Sequence, residues 1–135
     1  MDTIDHRAVI TNLDSALRES LVERSNAPGL LRFGFHLGTI VVLGTLIAFR
    51  VPFWFALLPV QGILIVFLFT TMHECIHETA FKSSFLNTAV STISSFLIFI
   101  PPTWFRFFHF AHHRHTHDPV RDPELKTPKP STLIG

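Results

Sequence analysis

Seven of the chain's nine histidines fall between residues 73 and 117, in two clusters. His73 and His77 stand in HECIH, and His109, His112, His113, His115 and His117 stand in HFAHHRHTH. Neutral imidazole is a good ligand for zinc, copper, iron and nickel, and side chains four residues apart share one helix face. His73 and His77 meet that spacing. So do His109, His112 and His113, which fall within about 100° of one another on a helical wheel. His117 sits at the edge of that face and is a further candidate, whereas His115 points elsewhere if the helix persists. A lone histidine on an apolar face is usually a satisfied structural residue, but five on two matched faces read as a metal-ligand set.

HECIH also fits the HExxH pattern, in which His73 and His77 hold zinc and Glu74 is the general base of an intramembrane metalloprotease. That reading leaves the second cluster without a task. Five or more histidines are also too many for one tetrahedral zinc with an open position, and two adjacent metals use them better. A third reading is a small, non-catalytic membrane metal-binding protein. Around the histidines, Glu74 and Glu78 can either orient ligands from behind or solvate a helix end. Asp118, Asp122 and Glu124 are placed to fix the loop after the second cluster, with Arg114 or Arg121 as partners, or are simply solvated. Cys75 reads as a packing residue, and His6 and His36 receive no role.

The elements that position these clusters are apolar. The chain is 47% hydrophobic and only 16% charged, with its apolar residues in blocks, which points to an all-α integral membrane protein. A net charge of +1 without a dense basic patch gives no reason to expect a nucleic-acid partner. One cysteine allows no internal disulfide. Residues 1–28 are polar, lack a signal-peptide core, and place Ile10, Leu13, Leu17 and Leu21 at helical spacing. They predict one cytosolic amphipathic helix ended by Asn26, Pro28 and Gly29.

Transmembrane helices are predicted over about 30–49 and 53–72, each ~30 Å long. Arg50, Val51 and Pro52 leave room only for a tight turn, so the two form an antiparallel hairpin, with Pro52 in the first turn of its second helix and Trp54 at the interface. Gly34 and Gly38 make a small-xxx-small pair suited to close helix packing. Arg7, Arg18, Arg24 and Arg32 precede the hairpin, Arg50 alone lies in its turn, and six Lys/Arg follow it. The N-terminus and both clusters are therefore expected on the cytoplasmic side.

The stretch 85–100 is short for a span and carries Asn87, Thr88, Ser91, Thr92, Ser94 and Ser95. A crossing there would separate the clusters, so it reads as an interfacial or re-entrant helix stopped by Pro101 and Pro102, with a third span as the alternative. Trp104, Phe105, Phe107, Phe108 and Phe110 beside Arg106 suit a helix at headgroup level. From Asp118 the chain turns Pro-rich, ending in 129–135.

HECIHETAF followed by HFAHHRHTHDP and RDPEL resembles the membrane fatty acid desaturase and hydroxylase superfamily over roughly residues 30 to 128. The resemblance rests on a first box of His-x-x-x-His type (His73, His77) coupled to a second of His-x-x-His-His type (His109, His112, His113). It implies a helical membrane bundle with a cytosolic cap, and histidines that hold two iron ions in a non-haem di-iron centre. It also implies O₂ as co-substrate, removal of hydrogen from an unactivated C–H bond of a fatty acyl lipid, and electrons from a ferredoxin or a cytochrome b5-type protein. The family's third box and second helix pair have no counterpart in residues 118–135, so the chain is expected to be an N-terminal portion, inactive by itself.

Overall fold

A computed structural model describes residues 10–126. His6 and Arg7, and the Pro-rich end in 129–135, lie outside the described residues. Within them every regular element is helical. The α-helices that lie wholly within the described residues are α1 Ser15–Val22, α2 Ala27–Ala48, α3 Leu58–Ile76, α4 Ser84–Ile98 and α5 Pro102–His115. Short 3-10 turns cover Trp54–Leu57 and Pro123–Leu125.

The lead segment does not run as one unbroken helix from Ile10. It breaks at Asp14, whose carboxylate accepts from the N–H groups of Ala16 and Leu17 and so caps the start of α1. No residue of α1 is buried, and Leu17 and Leu21 face outward. Asn26, Pro28 and Gly29 begin α2 instead of ending its predecessor. Proline in the first turn has no N–H to lose and a φ already helical.

α2 and the stretch Trp54–Ile76 are long and apolar enough to cross a membrane. Two bonds set their pairing. His36 Nε2 donates to Leu64 O at 2.9 Å, and Gln61 Nε2 donates to Ile40 O at 3.1 Å. A step forward from His36 to Ile40 matches a step back from Leu64 to Gln61, as antiparallel helices require. The link is less tight than the sequence suggests. Arg50 and Phe53 both take left-handed backbone, a 3-10 turn follows, and Pro59, not Pro52, opens α3. Val41, Val42, Ile63, Val66 and Phe67 are exposed along both helices, an apolar surface fit for lipid and unfit for water.

Helix packing is dense only near the last turns of α3. α4 runs back along α3, the most extensive helix contact in the fold. Asn87, Ser91, Ser94 and Ser95 are its buried polar face, while Thr88 and Thr92 return their hydroxyls to the carbonyls four residues earlier. Asn87 also stitches the preceding loop, accepting from Phe81 N and donating to Phe81 O and Ser83 O. Asn26 Oδ1 accepts from Ser83 N, which ties the start of α2 to the start of α4. Gly29 is the point of closest approach, since a Cβ there would meet Ala80 O at 2.6 Å and the Phe81 ring at 2.7 Å. The predicted pair Gly34 and Gly38 has no neighbour within 4 Å of an added Cβ, so no helix of the described chain packs there.

Phe99 takes a left-handed φ and is followed by Pro101 and Pro102, and between α4 and α5 the axis bends by 100°. α5 thereby returns to α3. Met72, Ile76 and Phe105 form one buried cluster, packed by Ile98, Ile100, Phe108 and Phe110. Phe69 meets Phe105 edge to face at 5.2 Å between centroids. Cys75, Phe81 and Val90 form a second cluster on the other side of α3, and Cys75 is a packing residue there.

Candidate metal centre

Three matched steps along α3 and α5 build the site. Phe69 lies on Phe105, His73 lies 4.5 Å from His109 between ring centroids, and His77 lies 5.0 Å from His113. Four-residue spacing on each helix therefore lines up His73 and His77 against His109 and His113. One nitrogen from each of these four rings lies within 4.8 Å of every other. His109 Nε2 is 2.9 Å from both His77 Nε2 and His113 Nε2. Such a contact is a hydrogen bond only when one ring carries its proton there. Three nitrogens facing one another in this way converge on a point where a cation fits and a proton serves poorly.

Electrostatics favours the ligand form. Burial, followed by the neighbouring His73, His113, His77 and His112, lowers the His109 pKa to about 4. Burial, with His73 and His113 adding to it and Glu74 opposing, also lowers that of His77. Both rings are therefore neutral at neutral pH, as metal binding requires. His109 is buried and stacked on Phe105, with centroids 5.2 Å apart and planes 10° apart, so its ring orientation is fixed by packing.

Carboxylates hold the far sides of two rings. Glu74 Oε1 meets His73 Nδ1 at 3.1 Å, and its other oxygen accepts from Thr79 Oγ1 at 2.8 Å. Nε2 of His73 is thereby left for the cluster, and the Glu74 carboxylate is turned to His73 and Thr79. This is not the placement of a general base beside a zinc-bound water. Glu78 lies past the end of α3, in a left-handed conformation, 3.9 Å from Arg106.

His112 is outside the group of four. Its Nδ1 meets Asp122 Oδ1 at 2.9 Å, while Glu124 lies 3.6 Å away. Asp122 is fully buried and also accepts from the backbone N–H groups of His117 and Glu124. Burial alone would raise its pKa, but the bonds from His112 and these two N–H groups outweigh it and hold the carboxyl below its usual range. Carboxylate–histidine pairing of this kind fixes a ring for metal binding through its other nitrogen. His117 is exposed, has φ 67°, and stands apart from the cluster. Asp118 caps its own turn by accepting from Val120 N and Arg121 N, and Arg121 lies 4.0 Å from it.

The sequence reading missed two partners, Thr79 and the pairing of Asp122 with His112. It also missed the interhelical bond of His36, whose only sequence signal is a polar residue opposite Gln61 in apolar surroundings. The boxes were visible in the spacing, and their meeting was expected only from the need to share a metal.

The sequence model of the fatty acid desaturase family matches residues 27–133. The chain belongs to the fatty acid desaturase family. Its matched region begins where α2 begins and takes in both histidine boxes, so the cluster of His73, His77, His109 and His113 belongs to the family domain. Comparison with curated proteins and with solved structures gave no match.

Proposed function

We propose that this chain acts in a membrane-bound, non-haem di-iron oxidoreductase of desaturase type, which removes hydrogen from an unactivated C–H bond of a fatty acyl or related lipid in an O₂-dependent reaction. The observation that supports it most is the meeting of both boxes, from two different helices, in one four-histidine cluster. The family assignment supplies the reaction class. Bound there, iron would supply the O₂ chemistry that no amino-acid side chain provides.

In this reading His73, His77, His109 and His113 are metal ligands, and His112 offers Nε2 to the centre while Asp122 holds Nδ1. A second iron needs donors beyond the four, and His112 is the histidine already oriented for that task. Glu74 keeps His73 in its tautomer and Phe105 keeps His109 in plane. α4 does not cross the membrane but turns back at Phe99, so that α5 lies at the interface with Trp104 and Phe107 exposed. The N-terminus and the boxes face the cytoplasm, where a ferredoxin or cytochrome b5-type donor would reach them.

Metal analysis of the chain purified from iron-replete membranes tests the reading. Iron is the expected content. Zinc in its place, together with cleavage of peptide substrates, would overturn it.

A further inference from the structure

On the side of α3 turned away from α5 lies a second concavity, a cavity of about 450 Å³ between the start of α2 and the last turns of α3. Its size is that of a small-molecule site. It lies at the same end of the helical hairpin as the histidines, because the bond from His36 to Leu64 sets the antiparallel register. Arg24 and Arg32 line it, facing the hydroxyl-bearing residues Thr70 and Thr71, with Phe33 and Phe81 as the apolar part of the wall.

Three features mark these groups as unspent. Arg24 gives one N–H to Glu78 O and keeps the rest of its guanidinium free, and Arg32 has no hydrogen bond or ion pair among the described residues. Thr39, Thr45, Thr88, Thr92 and Thr116 all return their hydroxyls to the carbonyl four residues earlier. Thr70 and Thr71 do not, and among the described residues nothing else takes their hydroxyls.

Two carboxylates also border the cavity. Glu74 is occupied by His73 and Thr79, and Glu23 is exposed at the rim, as are Arg24, Arg32 and Thr70. The donors that line the cavity and are available to a guest are two guanidiniums and the hydroxyls of Ser25, Thr70 and Thr71. Arg32 lies five residues into α2, ~8 Å along its axis, which is headgroup depth for a helix that begins at the membrane surface. Guanidinium forks match phosphate oxygens in geometry as well as charge.

We propose that this cavity binds the phosphate of a membrane phospholipid headgroup, held by Arg24 and Arg32 with the hydroxyls of Thr70 and Thr71. The site shares the Glu74 wall with the histidine centre but uses none of its ligands, and it stands whether or not that centre carries iron.

Native mass spectrometry of the detergent-purified chain tests it, comparing phosphatidic acid with diacylglycerol of the same acyl chains. Phosphatidic acid is expected to be retained and diacylglycerol to be lost. At ~1 kcal/mol per basic residue near an anionic headgroup, Arg32→Gln should weaken retention about fivefold and Arg24→Gln with Arg32→Gln about thirtyfold. Arg32→Lys should keep most of it. Unchanged helical content by circular dichroism reports that the variants are folded. Equal retention of the two lipids by the unaltered chain, or no change in the double variant, would overturn the proposal. Inorganic phosphate that binds as tightly as phosphatidic acid, with the same loss in the double variant, would assign the site to the free ion and overturn the lipid.

Discussion

The second histidine box divides its work. His109 and His113 enter the cluster, while His112 turns Nδ1 to a buried aspartate that returns from ten residues further along the chain. Helical spacing shows which residues share a face, so the boxes were legible in the sequence. It carries no information about where a loop folds back, and Asp122 was visible only as one of three acids after the box. Replacing such an orienting carboxylate typically costs 10–100-fold in metal affinity. Asp122→Ala is expected to weaken binding by about that factor, read by chelator competition, with the helical content unchanged. The lowered pKa values of His77 and His109 carry a second expectation. The unfolded chain takes up protons on these rings below about 6.5, while folded His109 resists until about 4. The metal-free protein should therefore lose stability as pH falls through that window and gain it as pH rises. A thermal midpoint lower at pH 5 than at pH 7.5 is the predicted result.

At the scale of elements, two apolar runs announced the hairpin, because ~20 apolar residues have few other uses. Their ends were less legible. Pro28 and Gly29 look like terminators in the sequence yet serve as a helix start and a contact point. The glycine pair at Gly34 and Gly38 fits a packing motif but faces open space, since the motif says nothing about which neighbour is present. The contrast is testable. Gly29→Ala sets a methyl against backbone oxygen and an aromatic ring, and overpacking of this kind costs ~1–3 kcal/mol. Gly34→Ala meets nothing and should leave stability unchanged or raise it by ~0.5–1 kcal/mol through helix propensity. Thermal unfolding of both variants in detergent reads the difference.

The whole molecule is loosely packed through its membrane-length part and densely packed where α3, α4 and α5 meet. The 100° bend after α4 explains that distribution, because it returns α5 to the end of α3 from which the chain had departed. The requirement that two histidine boxes meet predicted such a return, but the residues that make it, Phe99 in a left-handed turn before Pro101 and Pro102, disclosed only the stop. The cavity lined by Arg24 and Arg32 takes no residue from α4 or α5 and lies on another side of α3 from the histidines, at the same end of the hairpin.

Metal content after a substitution in each box shows whether both build one metal centre. His77→Ala and His113→Ala, made separately, should each abolish or sharply reduce bound iron. A single zinc that survives His113→Ala but not His77→Ala would rule out a shared centre and return HECIH to a site of its own.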